Sequence, residues 1–462
     1  MQMFEFRQSH IQQVLSTALS QGGHYADLYL EDTQIRSIEL QDGKVSQAQQ
    51  ASLCGGGVRV LKDEQTGYAY TMDLSLQSLV DAARFAGSIA PYSRITTTPP
   101  PFNAAAPQPM TPEELSLLPN SLTRQLLMEI DHAARSKDPR VIRVKAALTQ
   151  RTQTIRFANS NGESYTDCRP RTALMLNVVM EKHGTTQMGY ATEMLQMDAA
   201  FITPERTERL IDEAVRRASF LFDAIQPQGG EMPVVMAAGG SGILLHEAIG
   251  HAFEADFIRQ GTSIFTGKLG QTICTKDITI VDDGTQPHDA GRLRWDDEGI
   301  PGQCTTLVHK GRLESYLHDR ISARHFGVSL TGNGRRESFR HAPQPRMRST
   351  YMLAGEATEE DIIQSVKQGI YAEVFTNGQV QIGAGDFTFY MKQGYLIENG
   401  KLTQPIRDVN ITGNGPQALR DISMVGNNLR IDHSAAMCGK GGQSVPVSQG
   451  LPTVKINRLI VG

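Results

Sequence analysis

The sequence predicts an α+β protein: an N-terminal α/β domain followed by a largely β C-terminal domain that carries a helix near its start. Three observations lead there. Glycine is abundant, at 43 of 462 residues, which suits hairpins and tight turns better than a helical bundle. The first segment reads as helix, strands, helix. Beyond Met232 the pattern is mostly short strands and turns, after one apolar strand and one helix.

At this length one hydrophobic core does not suffice, and two or three domains are expected. Residues 1–95 form the first. Ile11, Val14, Leu15, Ala18 and Leu19 recur at helical spacing until Gly22-Gly23, and strand-like runs from Tyr25 to Thr71 are broken by the hairpin signal Asp42-Gly43. A second helix starts near Ser75. Residues 96–112 hold six prolines and read as an extended linker or surface arm. Residues 113–226 form a middle α/β region. It comprises a helix near Leu122–Ala134, strands at Val141–Leu148, Thr152–Ala158 and Ala173–Glu181, an Asn161-Gly162 turn, and a charged helix from Pro204 to Leu221. Residues 227–462 form the third part. It opens with the strand Pro233–Met236 and a helix from about Ser241, and it contains the turns Lys310-Gly311 and Asn399-Gly400.

Charge and cysteine usage exclude several classes. A net charge of −4 gives no broad positive field for nucleic acid and no polybasic membrane signal. No run approaches the roughly 18 apolar residues of a membrane span. Met1–Gln13 lacks the basic-then-apolar pattern of a secretory signal, so a cytoplasmic location is expected. Cys54, Cys168, Cys274, Cys304 and Cys438 are odd in number and scattered, which is no disulfide framework.

The chemistry concentrates in two stretches. The first is His246-Glu247-Ala248-Ile249-Gly250-His251: two imidazoles and an adjacent carboxylate, the parts of a hydrolytic metal site. Histidines four apart on an α-helix differ by about 40°, whereas five apart they differ by about 140°. The motif is therefore either accidental or carried on a distorted helix, and Gly250 is where a π-bulge would cost least. Glu254 and Asp256, just downstream, read either as a third-ligand acid or as a solvated helix end. The second stretch is Met437-Cys438-Gly439-Lys440-Gly441-Gly442. There Cys438 is accessible, Lys440 would favour its thiolate, and a Cys/His set suits zinc. Weaker features are Cys54-Gly55-Gly56-Gly57, which is no phosphate loop, and Asp296-Asp297-Glu298, expected as a surface turn or a support behind the ligands. Arg335-Arg336 is expected either as an exposed pair or as a grip on a substrate carboxylate.

Together these stretches resemble the TldD/PmbA family, in its metal-bearing TldD-like branch. The resemblance rests on Gly57–Leu61, on His246–Asp256 (HEAIGHAFEAD) with Gly261-Thr262-Ser263, and on Asp296–Gly299. Thr331–Ser338 (TGNGRRES), Tyr395–Gly400 (YLIENG) and Met437–Val447 (MCGKGGQSVPV) follow in order. It runs from about residue 20 to the C-terminus. It implies a metallopeptidase acting on peptides or unfolded chains, with zinc (or iron(II)) held by His246, His251 and Cys438 and with Glu247 as general base. It further implies a homodimer, or a heterodimer with a metal-free PmbA-like subunit. Gly239-Gly240-Ser241-Gly242 and Arg348-Ser349 depart from the family's usual residues, and the expectation is an altered substrate channel. Two other readings stand beside this one: a thiol hydrolase with Cys438 as nucleophile, and a non-catalytic peptide-binding subunit.

Overall fold

A computed structural model of the chain describes residues 6–88, 115 and 117–462. The expected arm at 96–112 lies outside the described residues. Helix α1 (Gln8–Leu19) buries Ile11, Val14, Leu15, Ala18 and Leu19, the stripe its periodicity predicts. Ser75 caps α2 (Leu76–Gly87) by accepting from the Ser78 N–H. Between them run β1 (Tyr25–Gln41), β2 (Lys44–Lys62) and β3 (Gln65–Thr71). Asp42 and Gly43, at φ 50° and 74°, turn β1 into β2, as Asn-Gly or Asp-Gly does in a type I′ hairpin.

The middle region follows with α3 (Asn120–Lys137), β4 (Val141–Asn159), β5 (Ser164–Lys182), β6 (Thr185–Leu195) and α4 (Pro204–Phe220). The two strands expected at Val141–Leu148 and Thr152–Ala158 are one. Thr149–Arg151 contains no turn former, and its polar side chains continue the alternation of the strand. The first and middle segments share a single antiparallel sheet in the order β3-β2-β1-β4-β5-β6, with β1 and β4 paired from Asp27↔Asn159 to Gln41↔Lys145. Two apolar clusters cover that sheet. One joins α1 and α2 to Leu28, Leu30, Val58 and Val60; the other joins α3 and α4 to Val144, Ala146, Leu174 and Leu176.

The C-terminal part holds two further six-stranded sheets. In one, β7 (Gly230–Met236) lies between Gln368–Val380 and Val454–Val461; in the other, Ser349–Met352 lies between Ile280–Asp283 and Ser448–Leu451. A single apolar core draws on both sheets and on Leu244, Leu245, Ala248, Ile249 and Phe253 of the intervening helical segment. Among the described residues, no helix is long and apolar enough to cross a membrane.

The seam between the N-terminal sheet and the C-terminal part is charged and buried. On β1 the side chains alternate, so Leu28 and Leu30 face the helices while Asp27, Tyr29 and Glu31 face the seam. Arg59 donates to Asp27 at 2.7 Å and to Glu298 at 2.6 Å. Arg169 donates to Asp297 at 2.8 Å, and Arg336 stacks over Tyr29 at 4.3 Å while donating to the Asp297 carbonyl. This corrects two expectations. Asp296-Asp297-Glu298 is no surface turn, and Arg335-Arg336 is neither exposed nor aimed at substrate. Arg335 spends its guanidinium on the carbonyls of Met347 and Pro446. Their sequence is polar because the seam is satisfied by ion pairs, which a reading of hydropathy assigns to solvent.

Replacing Arg59 by Met takes a close cation from two buried carboxylates, leaving Asp27 with Arg336 at 3.3 Å and Glu298 with the Arg320 N–H at 2.7 Å. The expected cost is about 3–5 kcal/mol of stability, read as a lower midpoint in thermal or urea unfolding. An unchanged midpoint would show that the seam does not carry the assembly.

Candidate metal centre

The residues after β7 make a sequence of helical pieces of different pitch. Gly239, at φ 95°, turns the chain into a short 3₁₀ turn over Gly240–Gly242. One α-turn, Ile243–Leu245, leads into a π-helix over His246–Gly250 and a 3₁₀ turn over His251–Phe253. The N–H of His251 donates to the carbonyl of His246, an i→i+5 bond that brings residues five apart onto one face. The two rings meet edge to face, 85° apart in plane, with centroids 5.0 Å apart.

The distortion expected at Gly250 is thus present, but the glycine serves it differently. Its φ and ψ, −59° and −50°, are ordinary helical values. What the position lacks is room: a Cβ there would lie 2.2 Å from the Met347 sulfur. Gly415 does the same from outside, where a Cβ would lie 2.1 Å from the Ala248 carbonyl oxygen.

Cys438 arrives from a short hairpin, Met437–Lys440 paired with Gln443–Pro446, whose tight turn is made by Gly441 and Gly442 at positive φ. Its Sγ lies 3.2 Å from His246 Nε2 and 3.3 Å from His251 Nε2. His246, His251 and Cys438 are buried, and their donor atoms lie within 4.8 Å of one another. Burial opposes the thiolate, yet the charges and hydrogen bonds of His246 and His251 outweigh it and bring the Cys438 thiol down to about 4. Two imidazole nitrogens and a thiolate converging at a buried site fit a borderline-soft divalent ion such as zinc.

Glu254 stands behind His251, its Oε2 2.9 Å from Nδ1, which leaves Nε2 to face the thiolate. It is wholly buried, so it is no solvated helix end, and the converging donors are His246, His251 and Cys438, with Glu254 Oε2 turned to His251 Nδ1 and Lys440 instead. Burial disfavours its charge, but Lys440, His251 and Arg346 prevail and hold it down to about 2. Lys440 therefore neighbours Glu254 and Asp256, and the histidines, not Lys440, hold the Cys438 thiol down.

Glu247 projects from the π-helix into a cavity of about 690 Å³ that His246 also lines. Burial pushes its carboxyl above the usual range, against the pull of His246 and His251. The far wall comes from the middle region: Tyr190 on β6 and Glu213, Arg216 and Arg217 on α4. Sequence reasoning took α4 as a charged helix and missed this wall; its only trace is the Glu213–Arg217 spacing, closed as an i,i+4 ion pair of 2.6 Å. Of the two departures from the family pattern, Gly240 lines the cavity, whereas Arg348 is buried elsewhere on Asp282 and Gln303.

A carboxylate held down in the fold adds stability above its unfolded pKa, about 4.3, and loses it as pH falls toward 2. Glu254→Gln should cost the metal-free protein about 3 kcal/mol at neutral pH. It should also flatten that acid part of the pH–stability curve, measured by thermal melts across pH. Parallel curves for variant and wild type would contradict the assignment.

Residues 229–462 match the PmbA/TldA metallopeptidase C-terminal domain, 26–90 match domain 1 and 107–219 the central domain. A metalloprotease TldD homolog of Haemophilus influenzae is 40% identical over 446 residues, covering 95% of this chain and 92% of that protein. A zinc metalloprotease TldD homolog of Saccharolobus solfataricus is 32% identical over 281 residues, 60% of each chain. The fold is shared with the crystal structure of TldE from Thermococcus kodakarensis, at a TM-score of 0.77 and 18% identity over 98% of this chain and 100% of that one. A relative at 40% identity over nearly the whole length, with three consecutive domain matches, settles the lineage: the chain belongs to the PmbA/TldD family of metallopeptidases.

Proposed function

We propose that the chain is a peptidase in which His246, His251 and Cys438 hold a divalent ion, zinc or iron(II), and Glu247 is the general base. The observation that carries this is the convergence of three buried donors beside a carboxylate that opens onto the cavity. When bound, such an ion would supply a Lewis acid that acidifies water and polarises a scissile carbonyl. The carboxylate of Glu247 takes the proton of the attacking water and returns it to the leaving amine. Its raised pKa suits both transfers better than an ordinary glutamate would. His251 is held by Glu254, so its ring keeps one tautomer throughout.

The substrate on this reading is a peptide or an unfolded segment in extended form. The cavity walls mix Tyr190, Ile243, Phe375 and Met437 with charged side chains, a lining that suits varied side chains better than one small molecule. The working form is a homodimer, or a heterodimer with a metal-free subunit, in the cytoplasm; enclosing the site would keep folded proteins out.

One observation favours a second reading. A thiol held at about 4 beside two imidazole nitrogens is also the pairing of a cysteine nucleophile with its base. Glu247→Gln separates the two, because only the metal reading gives Glu247 a proton to move. It should keep stoichiometric metal and lose hydrolysis by at least a hundredfold, checked by elemental analysis and peptide cleavage. Near-normal turnover would remove Glu247 from the mechanism.

Cys438→Ala should lose bound metal and activity together. Stoichiometric metal with full activity in that variant would place the third ligand elsewhere. Cleavage by wild-type protein stripped with a chelator would favour the thiol reading.

A further inference from the structure

Cys438 lies 187 residues after His251, so the donor set depends on contacts that hold two remote segments in register. Cys438 and Lys440 sit two apart on one strand and therefore project to the same side. Lys440 Nζ lies 3.0 Å from Glu254 Oε2 and 2.8 Å from Asp256 Oδ1, and it donates to the Pro345 carbonyl at 2.9 Å. It also stands over the Phe257 ring at 4.4 Å. The Glu254 oxygen that meets Lys440 is the one that meets His251 Nδ1. A single buried carboxylate oxygen thus joins the ring of one donor to the strand of another. Arg346 braces the same unit, donating to the Cys438 carbonyl while its Nε lies 3.9 Å from Glu254 Oε1.

We propose that Lys440 is a positioning residue for the metal centre: through Glu254 it fixes the His251 ring and the Cys438 hairpin in one arrangement, so the three donors are assembled before an ion arrives. The proposal rests on the metal reading above. Without the ammonium, Glu254 keeps His251 but loses its direct link to the hairpin; only the longer path through Arg346, at 3.9 Å, remains, and Cys438 is free to shift by the small amount that a tight coordination shell does not tolerate. The side chain touches no ligand atom, so its effect falls on affinity and geometry and not on the chemical step.

The test uses full-length protein stripped by chelation and titrated with cobalt(II). A thiolate-to-cobalt charge-transfer band in the near ultraviolet reports whether Cys438 binds. Wild type should show the band. Lys440→Met should weaken cobalt(II) binding by about tenfold or more and diminish or shift the band, and Lys440→Arg should recover most of the affinity. Where Lys440→Met does not fold, Lys440→Gln, which keeps hydrogen-bond donors without the charge, takes its place. Wild-type affinity and an unaltered band in the neutral variant would overturn the positioning role alone. No band in the wild type would overturn the metal reading and this proposal with it.

Discussion

Two histidines five residues apart diverge by about 140° on an α-helix and cannot share an ion. The geometry of the centre therefore depends on one backbone bond, from the His251 N–H to the His246 carbonyl, which widens a single turn. A π-turn is not self-sustaining, because it stretches the α-helical bonding on either side. Here it is held by its surroundings. Leu244, Leu245, Ala248 and Ile249 are packed into the C-terminal core, and Met347 and Gly415 close on it where any larger residue at 250 or 415 would collide. Glu247, the residue next to His246 in that widened turn, lines the cavity beside it, so donors and base are presented by one short helical segment.

The second constraint is electrostatic. The N-terminal sheet meets the C-terminal part through Arg59, Arg169 and Arg336 against Asp27, Asp297 and Glu298. Buried ion pairs add little net stability over an apolar contact of equal size, but they penalise any other docking, because each charge needs its own partner. The cavity has one wall from each side of the molecule, so its shape depends on that alignment. The same logic recurs at smaller scale around Glu254, where Lys440, His251 and Arg346 surround one carboxylate.

Much of this was legible in the sequence. Helix boundaries followed from periodicity and from Ser75 and Pro204, and the turns at Asp42-Gly43, Lys310-Gly311 and Asn399-Gly400 followed from the left-handed backbone they require. The spacing of His246 and His251 already demanded an irregular helix. What stayed hidden depended on contacts between remote segments. Nothing local distinguishes the buried Arg335 and Arg336 from a solvated pair, or α4 as a cavity wall from an outer helix. Gly250 invited an argument from backbone freedom, whereas its cause is the Met347 side chain 97 positions later. Lys440 sits so near Cys438 in sequence that a direct effect on the thiol was the natural reading. Strand geometry sends it instead to Glu254.

The alternation along β1 has a consequence for evolution. Leu28 and Leu30 belong to the apolar side and Asp27 and Glu31 to the charged side, and the strand is paired with a neighbour on each edge. Inserting or deleting one codon inside the strand would exchange those sides. Carboxylates would then sit under α1 and α2, and leucines would meet unpaired arginines in the seam. Substitutions can drift here one at a time, but length cannot. Insertions in this lineage should collect in the hairpin loops, where the register of the strands is left intact.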